Sequence, residues 1–487
     1  MLELSKPALL RTQSFVNGRW IDADSGATLD VANPATGELV ATIASCGAAE
    51  TRRAIEAADA AWPAWRAATV KERAKILRRW YDLVIENLDD LAKILTAEQG
   101  KPLAEARTEI IYGANYIEWF SEEAKRAYGD VVAPPSNDKR ILVIKQPVGV
   151  TCSVTPWNFP SAMIARKMAP ALAAGCPFVS KPASETPLSA LALAVLAEEA
   201  GIPAGVFNVV AGSSAREIGE EMTSNPLVRK FTFTGSTAVG KKLQAQCAET
   251  IKKTSMELGG NAPFIVFDDA DVDAAVKGAI ICKYRNAGQT CVCANRIFVQ
   301  EGVYDEFARK FSLAVQALTL GNGAEAGVEV GPMINAKAVK DVQALVEDAL
   351  AKGAKAPVTG GPSEMGGCFY APAVLTGVDN TMRLFREEIF GPVAPLYKFS
   401  TEEEVIQLAN DTEYGLASYF YSRDIGRIWR VGEKLEYGMV GVNEGIISNE
   451  MAPFGGVKES GIGREGSKYG LDDYLEIKYL CLGGIDR

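Results

Sequence analysis

Cys291 lies in the segment Tyr284 to Arg296, YRNAGQTCVCANR, behind Asn286, Ala287, Gly288, Gln289 and Thr290. Residues this small and polar let backbone N–H groups or positive charge approach a sulfur, which favours thiolate and nucleophilic chemistry. A reduced cysteine without a role is the plainer reading. The chain has no histidine, so neither a Cys-His dyad nor a His-liganded metal centre can form, and no metal site is expected. Proton transfer near neutral pH then falls to a tuned carboxylate, a lysine or water. Glu257, in Met256-Glu257-Leu258-Gly259-Gly260-Asn261, stands at a strand end before two glycines and suits a general base. A solvated turn glutamate is the alternative. Asn158, held between Pro156 and Pro160, has an amide that can donate to a developing oxyanion, or it caps the following helix. Cys293 and Cys291 are too few ligands for zinc. They can form a reversible disulfide only if the loop brings their Cα atoms within ~7 Å. Otherwise Cys293 is a small buried side chain.

Two further segments have cofactor-binding character. Val179-Ser180-Lys181-Pro182-Ala183-Ser184 puts Lys181 at the carboxyl end of a predicted strand, where an open parallel sheet collects ligands. Phe231 to Lys241, FTFTGSTAVGK, reads as strand, glycine turn and helix start, which suits a phosphate but fits neither standard phosphate-loop spacing. An exposed surface lysine and a plain capped turn remain the alternative readings.

The elements that must position these residues alternate. After a β-rich start at 15–21, apolar residues from Ile76 to Leu88 recur on one helical face, and Gly100-Lys101-Pro102 breaks one helix from the next. Strands are predicted at 141–145, 149–155, 177–181, 206–210 and 229–234, with helices at 161–174, 186–200 and 215–224 between several of them. The pattern resumes after Leu258 with strands at 263–267 and 296–300 and helices from Asp271, Val303 and Ala336. Such alternation means βαβ units and a parallel sheet, hence two successive α/β units that divide near Gly259-Gly260. The end, 474–482, alternates partly and is predicted to pair outside its own unit.

Whole-chain properties narrow the function class. With 487 residues, 48% of them apolar and 23% charged, the chain has the composition of a multi-domain globular enzyme. A net charge of −10 argues against a nucleic-acid or anionic-membrane surface. The opening residues are not expected to act as a signal peptide, and no apolar run spans a bilayer. Nine scattered cysteines suit a reducing compartment, so a cytoplasmic location is expected.

Taken together, PWNFP (156–160), KPAS (181–184), FTGSTAVGK (233–241), MELGGN (256–261), GQTC (288–291), EEIFGPV (387–393) and PFGGVKESGIGRE (453–465) resemble the aldehyde dehydrogenase superfamily nearly end to end. The resemblance implies a doubly wound cofactor-binding domain (1–124 with 148–259), an α/β catalytic domain (260–470) and a small β oligomerisation arm (125–147 with 471–487). It implies a homodimer or homotetramer acting on a small aldehyde. It makes Cys291 the nucleophile, Asn158 an oxyanion donor with the Cys291 N–H, Glu257 the base that activates the hydrolytic water, and Glu465 a second carboxylate in proton relay. It places Trp157, Lys181, Ser184, Gly235, Ser236, Gly240, Glu388 and Phe390 around a nicotinamide dinucleotide. Within the superfamily the finer resemblance is to succinate-semialdehyde dehydrogenases, carried by Tyr284-Arg285-Asn286, by Arg166 in Met163 to Lys167, and by the loop Asn443 to Asn449. A substrate with a second, distal carboxylate calls for a guanidinium clamp, here Arg166 and Arg285, with Ser448 as a hydroxyl donor. Glutarate semialdehyde or another aliphatic aldehyde is the alternative substrate. Many NAD-preferring relatives carry glutamate where Ser184 stands, so NADP is the expected preference, with NAD possible.

Overall fold

Four helices, Ala48–Ala67, Val70–Glu86, Leu88–Gln99 and Leu103–Glu123, precede the first parallel strand of the computed structural model, which describes residues 2–485. The second is started by a reciprocal cap, in which the Glu72 N–H donates to the Thr69 hydroxyl and the Thr69 N–H donates to the Glu72 carboxylate. Its buried stripe, Leu77, Trp80, Leu83 and Val84, packs the Trp80 indole edge-on against Phe207 of the sheet, ring centroids 5.2 Å apart. Gly100 ends the third helix at φ 94°. A Cβ there would lie 2.6 Å from Pro332 and 2.8 Å from Pro34, so glycine is required on both conformational and steric grounds.

The first sheet has eight strands in the order Arg19–Ile21, Ser14–Val16, Phe207–Val209, Phe178–Lys181, Val150–Val154, Val228–Thr234, Lys253–Glu257, Gly461–Ile462. The five from Phe207–Val209 to Lys253–Glu257 are parallel. Their residues are almost continuously buried because helices cover both faces. From Val150–Val154 the chain winds outward through 178 and 207, then returns to the other side at Val228–Thr234. That reversal makes a topological switch point, and the crevice beyond the strand ends there is where such sheets bind ligands.

Leu258 to Asn261 carries the chain into a second, seven-stranded sheet, ordered Lys355–Val358, Ala373–Thr376, Val393–Phe399, Ala294–Gln300, Ala262–Val266, Ala417–Tyr421, Met439–Val442. All neighbours are parallel except the Lys355–Val358 edge. A third, small sheet pairs Leu475–Gly483 antiparallel to Lys139–Pro147, with Asp130–Val132 alongside. Among the described residues no helix is long and apolar enough to cross a membrane.

The β-rich start read at 15–21 is present, as a hairpin turned by Asn17 and Gly18, φ 52° and 69°, a turn whose left-handed residues match the strand twist. Two other features depart from the sequence reading. A second ribbon, Thr28–Ala32 with Leu39–Ala44, was not foreseen. Gly461–Ile462, assigned to the 260–470 unit, instead pairs with Lys253–Glu257 and closes the edge of the first sheet. The unit boundary drawn at Gly259-Gly260 is therefore crossed a second time.

Candidate active site

The carboxyl ends of strands in the first sheet, and the segments that lead into the amino ends of strands in the second, face a cavity of about 460 Å³. Trp157, Asn158, Arg166, Gly235, Ser236, Arg285, Cys291, Glu388, Phe390 and Ser448 all line it. Residues up to 291 positions apart in sequence are thus brought to one wall or another of a single space. Lys181, Ser184, Gly240, Glu257, Cys293 and Glu465 do not line it.

The nucleophile loop is held in strain. Helix Val272–Tyr284 ends, and Asn286, Ala287 and Gly288 follow with φ of 53°, 54° and 74°. A left-handed alanine costs about 1–2 kcal/mol and persists only where its surroundings over-determine it. Here they do. Asn286 donates its N–H to Glu105 at 2.8 Å, and its Oδ1 accepts from the Gln99 amide at 2.9 Å. Gln289 donates to the Asn286 carbonyl at 3.0 Å and accepts from the Ile334 N–H at 2.9 Å. A Cβ at Gly288 would lie 2.3 Å from the Gly391 carbonyl oxygen. Cys291 emerges half-buried from this loop. Burial, reinforced by the Glu388 carboxylate, pushes its thiol up to about 12, while Arg166 and Arg285 pull the other way. Cys293 is buried behind the loop, its thiol directed to the Lys283 carbonyl at 3.4 Å.

Asn158 is not a helix cap. The following helix, Ala162–Ala174, is capped by a side chain from elsewhere: Glu109 accepts the Ser161 and Ala162 N–H groups at 3.0 and 3.2 Å. The Asn158 amide instead donates to the Gln289 carbonyl at 3.0 Å, two residues from the nucleophile. Its backbone carbonyl accepts from Lys101 at 2.8 Å and from Asn286 at 3.0 Å. Lys101 is buried and ion-paired with Glu109 at 2.6 Å. Lys101, Glu109, Gln99 and Glu105 thus brace the site, and sequence reasoning took Gly100 to Pro102 only as a helix break.

The carboxylates divide in character. Glu257 is buried, and neither of its oxygens has a hydrogen-bond partner. Burial, then repulsion from Glu465, raises its carboxyl well above the usual range. Burial works on Glu465 in the same direction, but Lys167 and Arg166 outweigh it and hold that carboxyl below its ordinary value. Lys167 bonds one Glu465 oxygen, and Arg166 Nη2 lies 2.6 Å from the other. Arg166 is therefore shared between a structural ion pair with Glu465 and the wall of the cavity. Glu388 accepts the Gly260 N–H at 3.1 Å, and burial carries it up to about 7.

A search against family models matches the aldehyde dehydrogenase family over residues 20–480. The chain is 64% identical to a glutarate-semialdehyde dehydrogenase of Pseudomonas aeruginosa, covering 99% of this chain and 100% of that one. It is 60% identical to the NADP-named succinate-semialdehyde dehydrogenase of Escherichia coli, over 99% and 100%. The solved structure of a succinate-semialdehyde dehydrogenase from Burkholderia pseudomallei superposes with a TM-score of 0.97 at 63% identity, covering 99% of each chain. The chain belongs to the aldehyde dehydrogenase family.

Aldehyde dehydrogenases use NAD or NADP, and the residues of this one fit such a cofactor. Helix Thr237–Ala248 begins at the switch point, and its N-cap Ser236 makes no side-chain cap bond, so first-turn amides are open to a pyrophosphate. Trp157 and Phe390 stand edge to face at 5.7 Å on the same wall as Glu388. Burial lowers Lys181 to about 8, and its amine donates only to the Pro182 carbonyl at 3.0 Å. Two details of the aldehyde dehydrogenase site differ from the sequence reading. The Ser184 hydroxyl proton goes to the Gly212 carbonyl at 3.1 Å, so Ser184 has no free donor. Gly240 lies under Leu258, 2.3 Å from where a Cβ would be, so it brings the helix close and does not line the cavity.

Proposed function

We propose that this aldehyde dehydrogenase oxidises succinate semialdehyde to succinate. The observation that carries the reading is the placement of Arg166, Arg285 and Ser448 on the walls of the cavity that holds Cys291. An aldehyde at one end and a carboxylate at the other would then meet a nucleophile and a guanidinium clamp together. Cys291 adds to the aldehyde carbon, with the Asn158 amide and the Cys291 N–H as donors to the resulting oxyanion. Glu388 and Phe390 would hold the nicotinamide, which when bound would supply the hydride acceptor. Cys291 then carries a thioester, and Glu257 takes a proton from the water that hydrolyses it. Its raised pKa makes its carboxylate a stronger base than an ordinary glutamate, and both oxygens are free to accept a water proton. A side-chain rotation must bring it to the cavity. Glu465, the second carboxylate of the proposed relay, is held ionised by Lys167 and Arg166, and its charge helps to keep Glu257 basic.

Arg285→Ala is expected to raise KM for succinate semialdehyde by about 10–100-fold, the loss of a charge-assisted hydrogen bond, while sparing an uncharged aldehyde such as hexanal. Equal losses on both would sink the clamp. A second cavity of about 450 Å³ shares Tyr112, Phe159, Arg285 and Ser448 with the first, which leaves room for the additional methylene of glutarate semialdehyde as the second reading.

NADP is the proposed preference. No carboxylate stands three residues after Lys181 to repel a 2′-phosphate, and Lys181 supplies charge. The ratio of kcat/KM for NADP over NAD should exceed one, and a strong NAD preference would refute this. The arm, with Ile477, Tyr479 and Leu482 exposed, is the proposed surface for a dimer or tetramer. Nine unpaired cysteines suit a cytoplasmic setting.

A further inference from the structure

We propose that Tyr112 and Tyr116 form a one-way hydroxyl chain that sets the Arg166 guanidinium and ties it to the loop bearing Ser448. They are positioning residues for a distal carboxylate, and the inference rests on the substrate reading above. The two tyrosines stand one turn apart on helix Leu103–Glu123, with rings perpendicular and centroids 5.2 Å apart. The direction of the chain is fixed at its far end. Tyr116 is fully buried, and its hydroxyl lies 3.1 Å from the Asn449 carbonyl, which can only accept, so the single Tyr116 proton goes there. The 3.2 Å contact between the two hydroxyls then has Tyr112 as donor. Tyr112 oxygen is left with lone pairs only, and Arg166 Nη1 donates to it at 3.4 Å.

One backbone carbonyl therefore orients three side chains. It also ties Arg166 to the Ser448 donor, because Asn449 follows Ser448 directly. The Asn449 side chain accepts from the Met451 and Ala452 N–H groups at 3.0 and 2.9 Å, so this end of the loop is itself braced. With Nη1 anchored and the Phe454 ring 3.8 Å from Cζ, the guanidinium cannot turn freely. Its Nε is buried without a hydrogen-bond partner, while Nη2 is ion-paired with Glu465 at 2.6 Å. A buried guanidinium N–H left unsatisfied is costly, and a substrate carboxylate at Arg166 would offset that cost. Tyr112 itself keeps no proton for the substrate. Its effect is exerted through Arg166.

The test compares succinate semialdehyde with butanal, an uncharged aldehyde of the same length, in the intact enzyme. In Tyr116→Phe the KM for succinate semialdehyde should rise about tenfold, the loss of one hydrogen bond serving a charged group, with kcat changed less than about twofold. Butanal kinetics should not move. Tyr112→Phe, at the cavity wall, should raise KM for succinate semialdehyde more than for butanal, and the double variant should be no worse on succinate semialdehyde than either single one, because the chain acts as a unit. Tyr112 is only half-buried, so its variant keeps the test open if Tyr116→Phe fails to fold. Equal changes on both aldehydes, no change on either, or an additive double variant overturns the chain. A parent enzyme that treats the two aldehydes alike overturns the carboxylate reading and the chain with it. A discriminating parent whose variants discriminate equally well overturns the chain alone.

Discussion

Glu257→Gln is expected to release one equivalent of reduced cofactor per active site in a burst and then turn over about 10²–10⁴-fold more slowly. The burst follows because acylation of Cys291 precedes the step assigned to Glu257, so the variant accumulates as a thioester. Folding should survive the change. The two side chains are nearly isosteric, and neither Glu257 oxygen has a hydrogen bond to lose. pH supplies a second readout. The Glu257 carboxyl is raised in the folded state, so its base form gains population as pH rises above the ordinary glutamate range. The parent steady-state rate should climb through that window, and the variant should lose the climb. Stability runs the other way. A group whose folded pKa exceeds its unfolded value stabilises fully below the unfolded value, and that contribution is lost as pH rises through the folded one. Glutamine does not titrate, so the variant should melt later than the parent at high pH, by a margin that shrinks on acidification. An unchanged steady-state rate, or no burst with normal binding, would remove Glu257 from the mechanism.

The parts of the fold legible in the sequence were those written in local periodicity. Buried parallel strands such as Val150–Val154 and Phe178–Lys181 are short runs bounded by glycine or proline, and the helices that follow them end on Gly175 and Gly201. The hairpin at Asn17-Gly18 had a turn signal, but the strands on either side are only three residues long and too short to show alternation. Gly461–Ile462 had none, because a two-residue edge strand is defined by its partner alone. The site divides in the same way. Cys291, Asn158 and Arg285 stand out by residue type and neighbours, and all three line the cavity. Side-chain direction is another matter. The Glu257 carboxyl turns out of the cavity although the flanking Leu258 and Gly259 line it, and no spacing rule encodes a rotamer. Arg166 meets Glu465 from 299 residues away, a pairing created only when Phe454 and Glu465 pair across an isolated bridge beside the first sheet. Tyr112 and Tyr116 read as ordinary helix aromatics until the Asn449 carbonyl is placed beside them.

Lys101→Met should destabilise the protein by about 3–5 kcal/mol, because it leaves Glu109 buried without its countercharge. Both side chains of the pair are essentially inaccessible, the ion pair is 2.6 Å long, and the amine also faces the Phe159 ring at 3.8 Å. Methionine fills a similar volume, so the loss measures charge and hydrogen bonding more than packing. The midpoint of denaturant unfolding should fall accordingly. Activity should fall as well, since the Asn158 carbonyl loses one of its two donors and the oxyanion amide is carried on that backbone. Pairing the change with Glu109→Gln separates the two effects. Glutamine keeps an oxygen for the Ser161 and Ala162 N–H groups but removes the unpaired charge, so the double variant should recover part of the stability. It should not recover kcat, because no donor returns to the Asn158 carbonyl. A single variant as stable as the parent would mean that Lys101 and Glu109 are not coupled in the folded state. A double variant that regains full kcat would mean that Lys101 acts on the site only by neutralising Glu109.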